Sequence, residues 1–316
     1  MKNNNRRNFI KQTGLVASAS CVPLMGMASS DNRGGYKFNF AFISDTHIAS
    51  EPDGTFIKKW DTSLVEAVKQ LNQKSDQVDF VIVGGDLTHT GKPEEFSRVK
   101  EILSQLQKPI YFAIGEHDCL HDASGAMWKD HFGDDYYSFD HKNVHFVVIN
   151  SIMKSDQTGK FIIAKPQLEW LHNDLSKVSK ETEVVLISHL PLVNVKNIDD
   201  SSFNSDGHIV QSLLTTFNKA SVFFGHVHQQ LQFKVDAVIH SSGVSTAWST
   251  YGIEKRYLQS ISPTYLDSSR EHLASTSWQL IEVNSQAELS MKLKIQKKEP
   301  IGVAKNYTFQ RGAVSV

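Results

Sequence analysis

The chain has 316 residues, 40% apolar, 21% charged and 10% aromatic, which excludes a disordered or low-complexity polymer and leaves ample material for a packed core. Lys and Arg number 33 against 34 Asp and Glu, so no basic excess points to nucleic acid as a partner. The balance is uneven, because residues 1–28 carry Lys2, Arg6, Arg7 and Lys11 and no acid, leaving 29 basic and 34 acidic residues beyond them.

Asn5-Arg6-Arg7-Asn8-Phe9-Ile10-Lys11 opens onto a mildly apolar stretch from Thr13 to Ala28. A basic start, a short apolar run and small residues near its end describe a signal peptide over residues 1–30. The run is shorter than the roughly 20 residues that a membrane span requires. Arg6-Arg7 ahead of Phe9-Ile10-Lys11 resembles the twin-arginine export signal; in the plainer alternative, a secretory signal, the arginines merely supply charge. Ser18-Ala19-Ser20-Cys21 offers a further alternative, a lipoprotein site anchoring the chain through Cys21, although the usual Leu three residues before the Cys is missing. The expectation is an exported protein, periplasmic or extracellular, without a transmembrane segment in its mature form. Cys119 would then stand alone, so no intramolecular disulfide is expected.

From residue 36, short apolar strands alternate with helical patterns. A strand at 38–43 ends in Ser44-Asp45, and a helix near 56–72 places Leu64, Val65, Val68 and Leu71 on one face. A strand at 80–83 ends at Gly84-Gly85-Asp86, and Pro93-Glu94-Glu95 opens a helix over about 93–107. The strand at 110–114 runs into Gly115-Glu116-His117-Asp118. A strand at 144–149, a helix at 166–175 and a strand at 184–187 lead to Ser188-His189. A helix at 208–218 precedes a strand at 222–224 that ends at Gly225-His226-Val227-His228. Beyond 229 the strands alternate polar and apolar residues (231–236, 237–241, 277–284 and 288–295), with a polar stretch at 249–276 and a tail over 297–316. The pattern predicts an α/β fold with a largely buried sheet, as one domain over 36–296.

Five of these strands end in Asp, His or Glu. In α/β sheets the carboxyl ends of strands are where binding crevices form. Mixed carboxylate and imidazole donors suit zinc, iron or manganese, and two such ions sharing a carboxylate would activate a hydroxide and clamp a phosphoryl group. A single Asp or His after a strand is ordinarily a cap or loop residue; the ordered set, each member punctuating a buried strand, carries the metal reading.

The series Asp45-x-His47, Gly85-Asp86, Gly115-x-His117-Asp118, His189-x-Pro191 and Gly225-His226-x-His228 resembles the calcineurin-like metallophosphoesterase superfamily over about residues 38–295. Tyr136-Tyr137-Ser138-Phe139-Asp140 before Val144-His145-Phe146, and Gln167-Leu168-Glu169-Trp170-Leu171, look like the branch of cyclic-nucleotide phosphodiesterases and purple-acid-phosphatase-like proteins. The resemblance implies a four-layer αββα sandwich, metallo-dependent phosphatase-like, with the site at one sheet edge. It implies one metal held by Asp45, His47, Asp86 and His228, and a second held by Asp86, Glu116, His189 and His226. A metal-bridging hydroxide would attack phosphorus in line, with His117 beside the leaving group. Asp118 is a candidate for holding an imidazole in orientation. The implied substrate is a small-molecule or lipid-borne phosphate mono- or diester, and the cofactors are two divalent or trivalent ions (Fe, Mn or Zn).

Two positions depart from the pattern. Residue 116 is ordinarily Asn, a neutral oxygen donor, and here it is Glu116, which as a ligand adds negative charge and removes an amide. Residue 89 is ordinarily Tyr in purple acid phosphatases or Asp in phosphoprotein phosphatases, and here it is His89, read as a supporting residue rather than a ligand. The rival reading is a non-catalytic binder of a phosphorylated ligand, its second site altered by Glu116. A redox metalloprotein is suggested by the leader alone and has no further motif.

Overall fold

The computed structural model describes residues 35–194, 203–228, 231–248, 275–286 and 290–298. The leader at 1–30 with Cys21, most of the polar stretch at 249–276 and the tail beyond 298 lie outside them. In chain order the strands are β1 (Lys37–Ile43), β2 (Phe80–Gly84), β3 (Ile110–Ala113), β4 (Tyr137–His141), β5 (Val144–Val148), β6 (Met153–Lys154), β7 (Phe161–Ile162), β8 (Glu183–Ser188), β9 (Ala220–Phe224), β10 (Gln232–Val235), β11 (Val238–Ser242), β12 (Ser275–Asn284) and β13 (Ser290–Lys298). The helices are α1 (Lys58–Asn72), α2 (Pro93–Leu103), α3 (Ala126–Phe132), α4 (Lys165–Leu175) and α5 (Gly207–Leu214).

Two sheets form, ordered β13-β12-β1-β2-β3 and β10-β11-β9-β8-β5-β4, with β6 and β7 as a separate small ribbon. Within the first, β1, β2 and β3 are parallel, and β12 runs antiparallel to β1. Within the second, β5, β8, β9 and β11 are parallel, and β4 and β10 are antiparallel edges. Side-chain alternation along β1 explains the layering. Phe38, Phe40 and Phe42 point into a core shared with Phe146, Val185, Ile187 and Phe223 of the second sheet. Ala41 and Ile43 face the opposite way, toward Leu64 and Val68 of α1 and Phe96 and Val99 of α2. The second sheet turns Val147, Leu186 and Val222 onto Leu171 of α4 and Val210 of α5. The result is helix, sheet, sheet, helix.

Strands buried on both faces are apolar along most of their length. That is why β2, β8 and β9 are buried at every residue and lack the two-residue alternation of a surface strand. Phenylalanines fill the sheet–sheet interface: Phe40 stacks on Phe80 at 5.4 Å between centroids and meets Phe146 and Phe223 edge-on, geometries favoured by the ring quadrupole. Helix α1 buries Leu64, Ala67, Val68 and Leu71, one stripe at helical spacing.

Several boundaries differ from the sequence reading. Helix α2 stops at Leu103 and α5 at Leu214, the residues beyond forming turns instead. Sequence reasoning assigned no element to α3 or β4; β4 is a half-exposed edge strand without a continuous apolar run. After 229 the strands extend the same two sheets: β11 pairs in parallel with β9, and β12 pairs antiparallel with β1. Hence β11 also sends its carboxyl end toward the edge where β1, β2, β3, β8 and β9 end. No helix of the described residues is long and apolar enough to cross a membrane.

Candidate metal centre

The loops leaving β1, β2, β3, β8 and β9 bring the predicted donors together where both sheets end. Asp45, His47, Asp86, His226 and His228 all hold left-handed backbone, with φ between 45° and 65°. For residues with a side chain this conformation is strained by roughly 1–3 kcal/mol each. It persists because neighbouring loops hold it: Asp45 donates its N–H to the Gly85 carbonyl and His47 to that of Asp86, both at 3.0 Å. Five strained residues within one cluster mark a site selected for geometry rather than stability.

Three groups of donors converge closely enough to hold a metal ion: Asp45, His47 and His228; Asp86, Glu116, His189 and His226; and His47, His89 and His117. His47 Nε2 lies 3.1 Å from His228 Nε2, and His228 Nε2 lies 3.2 Å from Asp45 Oδ1. His189 Nε2 lies 2.9 Å from Glu116 Oε2, and His226 Nδ1 lies 2.7 Å from Glu116 Oε1. Asp86 stands between the first two groups. Its Oδ1 accepts the main-chain N–H of His117 at 2.9 Å. Its Oδ2 faces His47 Nε2 at 3.6 Å and His189 Nε2 at 3.4 Å.

These residues fit a pair of metal ions. His189 donates Nδ1–H to the Gly84 carbonyl at 2.8 Å, and His228 donates Nδ1–H to the Trp248 carbonyl at 3.0 Å. A neutral ring then presents a bare Nε2 to the site, the arrangement that fixes the tautomer of metal-binding histidines. His189 Nε2 and Glu116 Oε2 are buried without a hydrogen-bond partner, so their 2.9 Å approach lacks hydrogen-bond geometry and sets two acceptors around the space a cation would fill. Donor separations near 3 Å also match the edges of a polyhedron with bonds of about 2.0–2.2 Å. Three carboxylates and four imidazoles, with no thiolate, suit zinc, iron or manganese.

Electrostatics follow from burial and crowding. Burial opposes charge on His189, but the Asp86 and Glu116 carboxylates outweigh it and hold the imidazole well above its ordinary range. His226 is raised for the same reason, by Glu116. Burial would raise Glu116, yet His226 and His189 hold its carboxyl well below the usual range. His47 goes the other way: burial, reinforced by His228, His117 and His89, keeps it neutral. Asp45 and His189 are fully buried, whereas the side chains of Glu116, His117 and His226 keep 18–27% exposure. The site therefore opens to solvent on the side of those three.

His117 donates Nδ1–H to the His89 carbonyl at 2.6 Å and turns Nε2 toward Asp86 Oδ2, 4.0 Å away. Asp118 does not hold an imidazole, correcting the sequence expectation. Its carboxylate accepts the main-chain N–H groups of Leu87, Thr88 and Gly115 and the Thr88 hydroxyl. It ties together the loops after β2 and β3, and burial with Asp86 nearby pushes it to about 7. Cys119 is partly buried, and burial pushes its thiol up to about 12, which disfavours the nucleophilic thiolate. His208 is exposed on α5.

Sequence reasoning missed the layer around the donors. Ser245 donates its hydroxyl to the Asp45 carbonyl at 2.7 Å and accepts the Ala247 N–H. Trp248 packs on His47 and His228 with centroids at 4.3 and 4.5 Å, and Trp60 packs on Trp248 and His89 at 4.9 and 5.1 Å. The available signal was the strand end Ser241-Ser242-Gly243, a sixth one, leading into Ser245 and Trp248.

A four-layer sandwich with these donors at its strand ends defines a metallo-dependent phosphoesterase. The chain belongs to the calcineurin-like phosphoesterase family, whose model matches residues 38–230, and it is accordingly a metal-dependent phosphoric ester hydrolase. A 3',5'-cyclic-nucleotide phosphodiesterase of Nostoc sp. is 26% identical over 212 residues, 66% of this chain and 79% of that one. A serine/threonine-protein phosphatase of Danio rerio is 27% identical over 219 residues, 62% of this chain and 71% of that one. A dimetal phosphatase from Danio rerio shares the fold, with a TM-score of 0.58, 15% identity and coverage of 83% of this chain and 97% of that structure.

Proposed function

We propose that the chain is an exported, dinuclear-metal phosphoesterase acting on a small or lipid-borne phosphate ester, a diester in preference to a monoester. In this reading Asp45, His47, Asp86 and His228 hold one ion and Asp86, Glu116, His189 and His226 hold the other. Bound together, two such ions supply an activated water and clamp the phosphoryl group. His117, its Nδ1–H held by the His89 carbonyl, turns Nε2 inward at the accessible side of the site, placed to meet a phosphoryl or leaving-group oxygen. Burial opposes its charge, but the Asp86 and Glu116 carboxylates outweigh it and favour the protonated ring that could give up a proton there. The likeness to a cyclic-nucleotide phosphodiesterase supports a diester substrate, and the basic leader supports export.

The observation that carries the reading is Asp86 Oδ2, within 3.6 Å of donors from both groups, where a shared ligand must sit. Metal content, measured together with hydrolysis of bis-aryl and aryl phosphates, tests it. Two equivalents per chain and faster diester cleavage are expected. Less than one equivalent, with no hydrolysis under any divalent ion, overturns it. One observation favours the binder as a second reading: Glu116 spans both histidines of the second group.

A further inference from the structure

His89 touches both the donor His47 and the proton carrier His117. Its Nδ1 lies 3.3 Å from His47 Nδ1, and its main-chain oxygen accepts the His117 Nδ1–H at 2.6 Å. Its ring lies nearly parallel to that of His117, with centroids 5.0 Å apart, and edge-on to His47 at 5.3 Å and Trp60 at 5.1 Å. Those three contacts leave the imidazole little rotational freedom.

Proton accounting gives the 3.3 Å contact its direction. His47 Nε2 faces His228 Nε2, Asp45 and Asp86, so it is the nitrogen offered to a cation. A neutral His47 that offers Nε2 as a lone pair has its only proton on Nδ1, and that proton points at His89 Nδ1, which must accept it. His89 then carries its own proton on Nε2. The general pattern of a metal-binding imidazole anchored through its second nitrogen thus appears here with a neutral imidazole as the anchor. The choice has an electrostatic rationale. Asp45, Asp86 and Glu116 already bring three carboxylates to the site, and Glu116 supplies one charge more than the Asn ordinarily found there. An anchor without charge adds no further anion to a site that must receive an anionic phosphate ester.

We propose that His89 is the positioning residue of this centre, its ring nitrogen orienting His47 for metal and its carbonyl orienting His117 for proton transfer. The assignment rests on the phosphoesterase reading above. It separates the two functions of residue 89: substitution of the ring disturbs His47, while the carbonyl that holds His117 survives in every variant.

The test combines metal titration with nuclear magnetic resonance of histidine-labelled protein. In the wild type, a coupling across the hydrogen bond between the two Nδ1 atoms is expected, with His47 protonated on Nδ1 when zinc is bound. His89→Phe keeps the ring packing and removes the acceptor, and should weaken one of the two zinc equivalents by about 10–100-fold. His89→Asn, which restores an acceptor oxygen, should recover most of that loss; simple disruption of packing predicts the opposite order. His89→Phe binding both equivalents as tightly as the wild type, or an absent Nδ1–Nδ1 coupling, overturns the assignment. So does a third zinc equivalent ligated by His89 itself. Failure of the wild type to bind zinc at all overturns the phosphoesterase reading instead, and the two failures are thereby distinct.

Discussion

Glu116 is where this chain most visibly departs from its family pattern, and its geometry sets a sharp expectation. The carboxylate meets His189 at 2.9 Å and His226 at 2.7 Å, so it is turned toward the second group of donors, not away from it. One unit charge about 4 Å from a cation is worth roughly 4 kcal/mol at an effective dielectric of 20, before desolvation reduces it. Glu116→Asn should therefore weaken one metal equivalent by tenfold or more, shift metal preference, and leave an enzyme that still turns over under saturating metal. Isothermal titration and steady-state kinetics read both effects. Appearance of hydrolysis only in the variant, from an inert wild type, would establish the binder instead. At this scale the donors were legible in the sequence because each directly follows an apolar strand. Their supports were not: Trp248, Ser245 and the His89 carbonyl act through loop geometry, and neither main-chain acceptors nor ring packing leave a spacing to read. Asp118 was misassigned for the same reason, since the groups it binds are main-chain N–H groups.

The loops after β1 and β2 carry three of the donors, Asp45, His47 and Asp86, and the amino terminus of α2 holds them together. Glu95, with no exposure, accepts N–H groups from Ser50 and Thr90 at 2.9 Å each and the Thr90 hydroxyl at 2.7 Å. It also accepts the Lys92 main-chain N–H at 3.4 Å, a donor that the helix start would otherwise leave open. Removing it strands buried N–H groups on two loops at once. Glu95→Ala should thus destabilise the fold by about 2–4 kcal/mol and loosen metal binding without contacting any donor. Chemical denaturation with metal titration checks both, and unchanged metal affinity would confine Glu95 to stability. A helical stripe and a continuous apolar run were legible, as α1 and β2 respectively illustrate. The function of Glu95 was not, because Pro93-Glu94-Glu95 reads as a helix start whether or not the carboxylate also reaches two strand-end loops. Gly85 illustrates the same limit. Its φ of 98° suits glycine, but the closer constraint is that a side chain there would collide with the His189 ring.

Across the whole molecule, two histidines far from the metal centre set opposing pH responses. His240 on β11 is fully buried, stacks on Phe233 and donates Nε2–H to Gln211 Oε1 at 3.0 Å. Burial holds it down to about 3. Because the folded value lies below the unfolded value of about 6.5, the unfolded chain takes up a proton first as pH falls. Stability is complete above pH 6.5 and is lost below it, at about 1.4 kcal/mol per pH unit until pH reaches about 3. His145 behaves in reverse. Burial would lower it, but Asp174 and Asp140 flank both nitrogens and hold it above its ordinary value. That stabilisation is complete below pH 6.5 and disappears as pH rises through the raised folded value. His240→Phe leaves Gln211 Oε1 without its donor, so at pH 7.5 the variant should be weaker than the wild type by about 1–2 kcal/mol. By pH 4.5 the wild type alone has lost on the order of 3 kcal/mol through keeping the imidazole neutral, more than the missing hydrogen bond, so the order of stability should reverse. His145→Gln should instead flatten the loss above pH 6.5, and it should also soften the acid limb, because burial would raise Asp174 but His145 holds it below its ordinary range. Denaturant midpoints of each variant and the wild type at matched pH decide this, since titrating groups that do not touch the substituted histidine, the metal ligands included, cancel in the difference. A gap between His240→Phe and the wild type that stays constant from pH 7.5 to 4.5 would show that His240 takes up its proton in the folded protein.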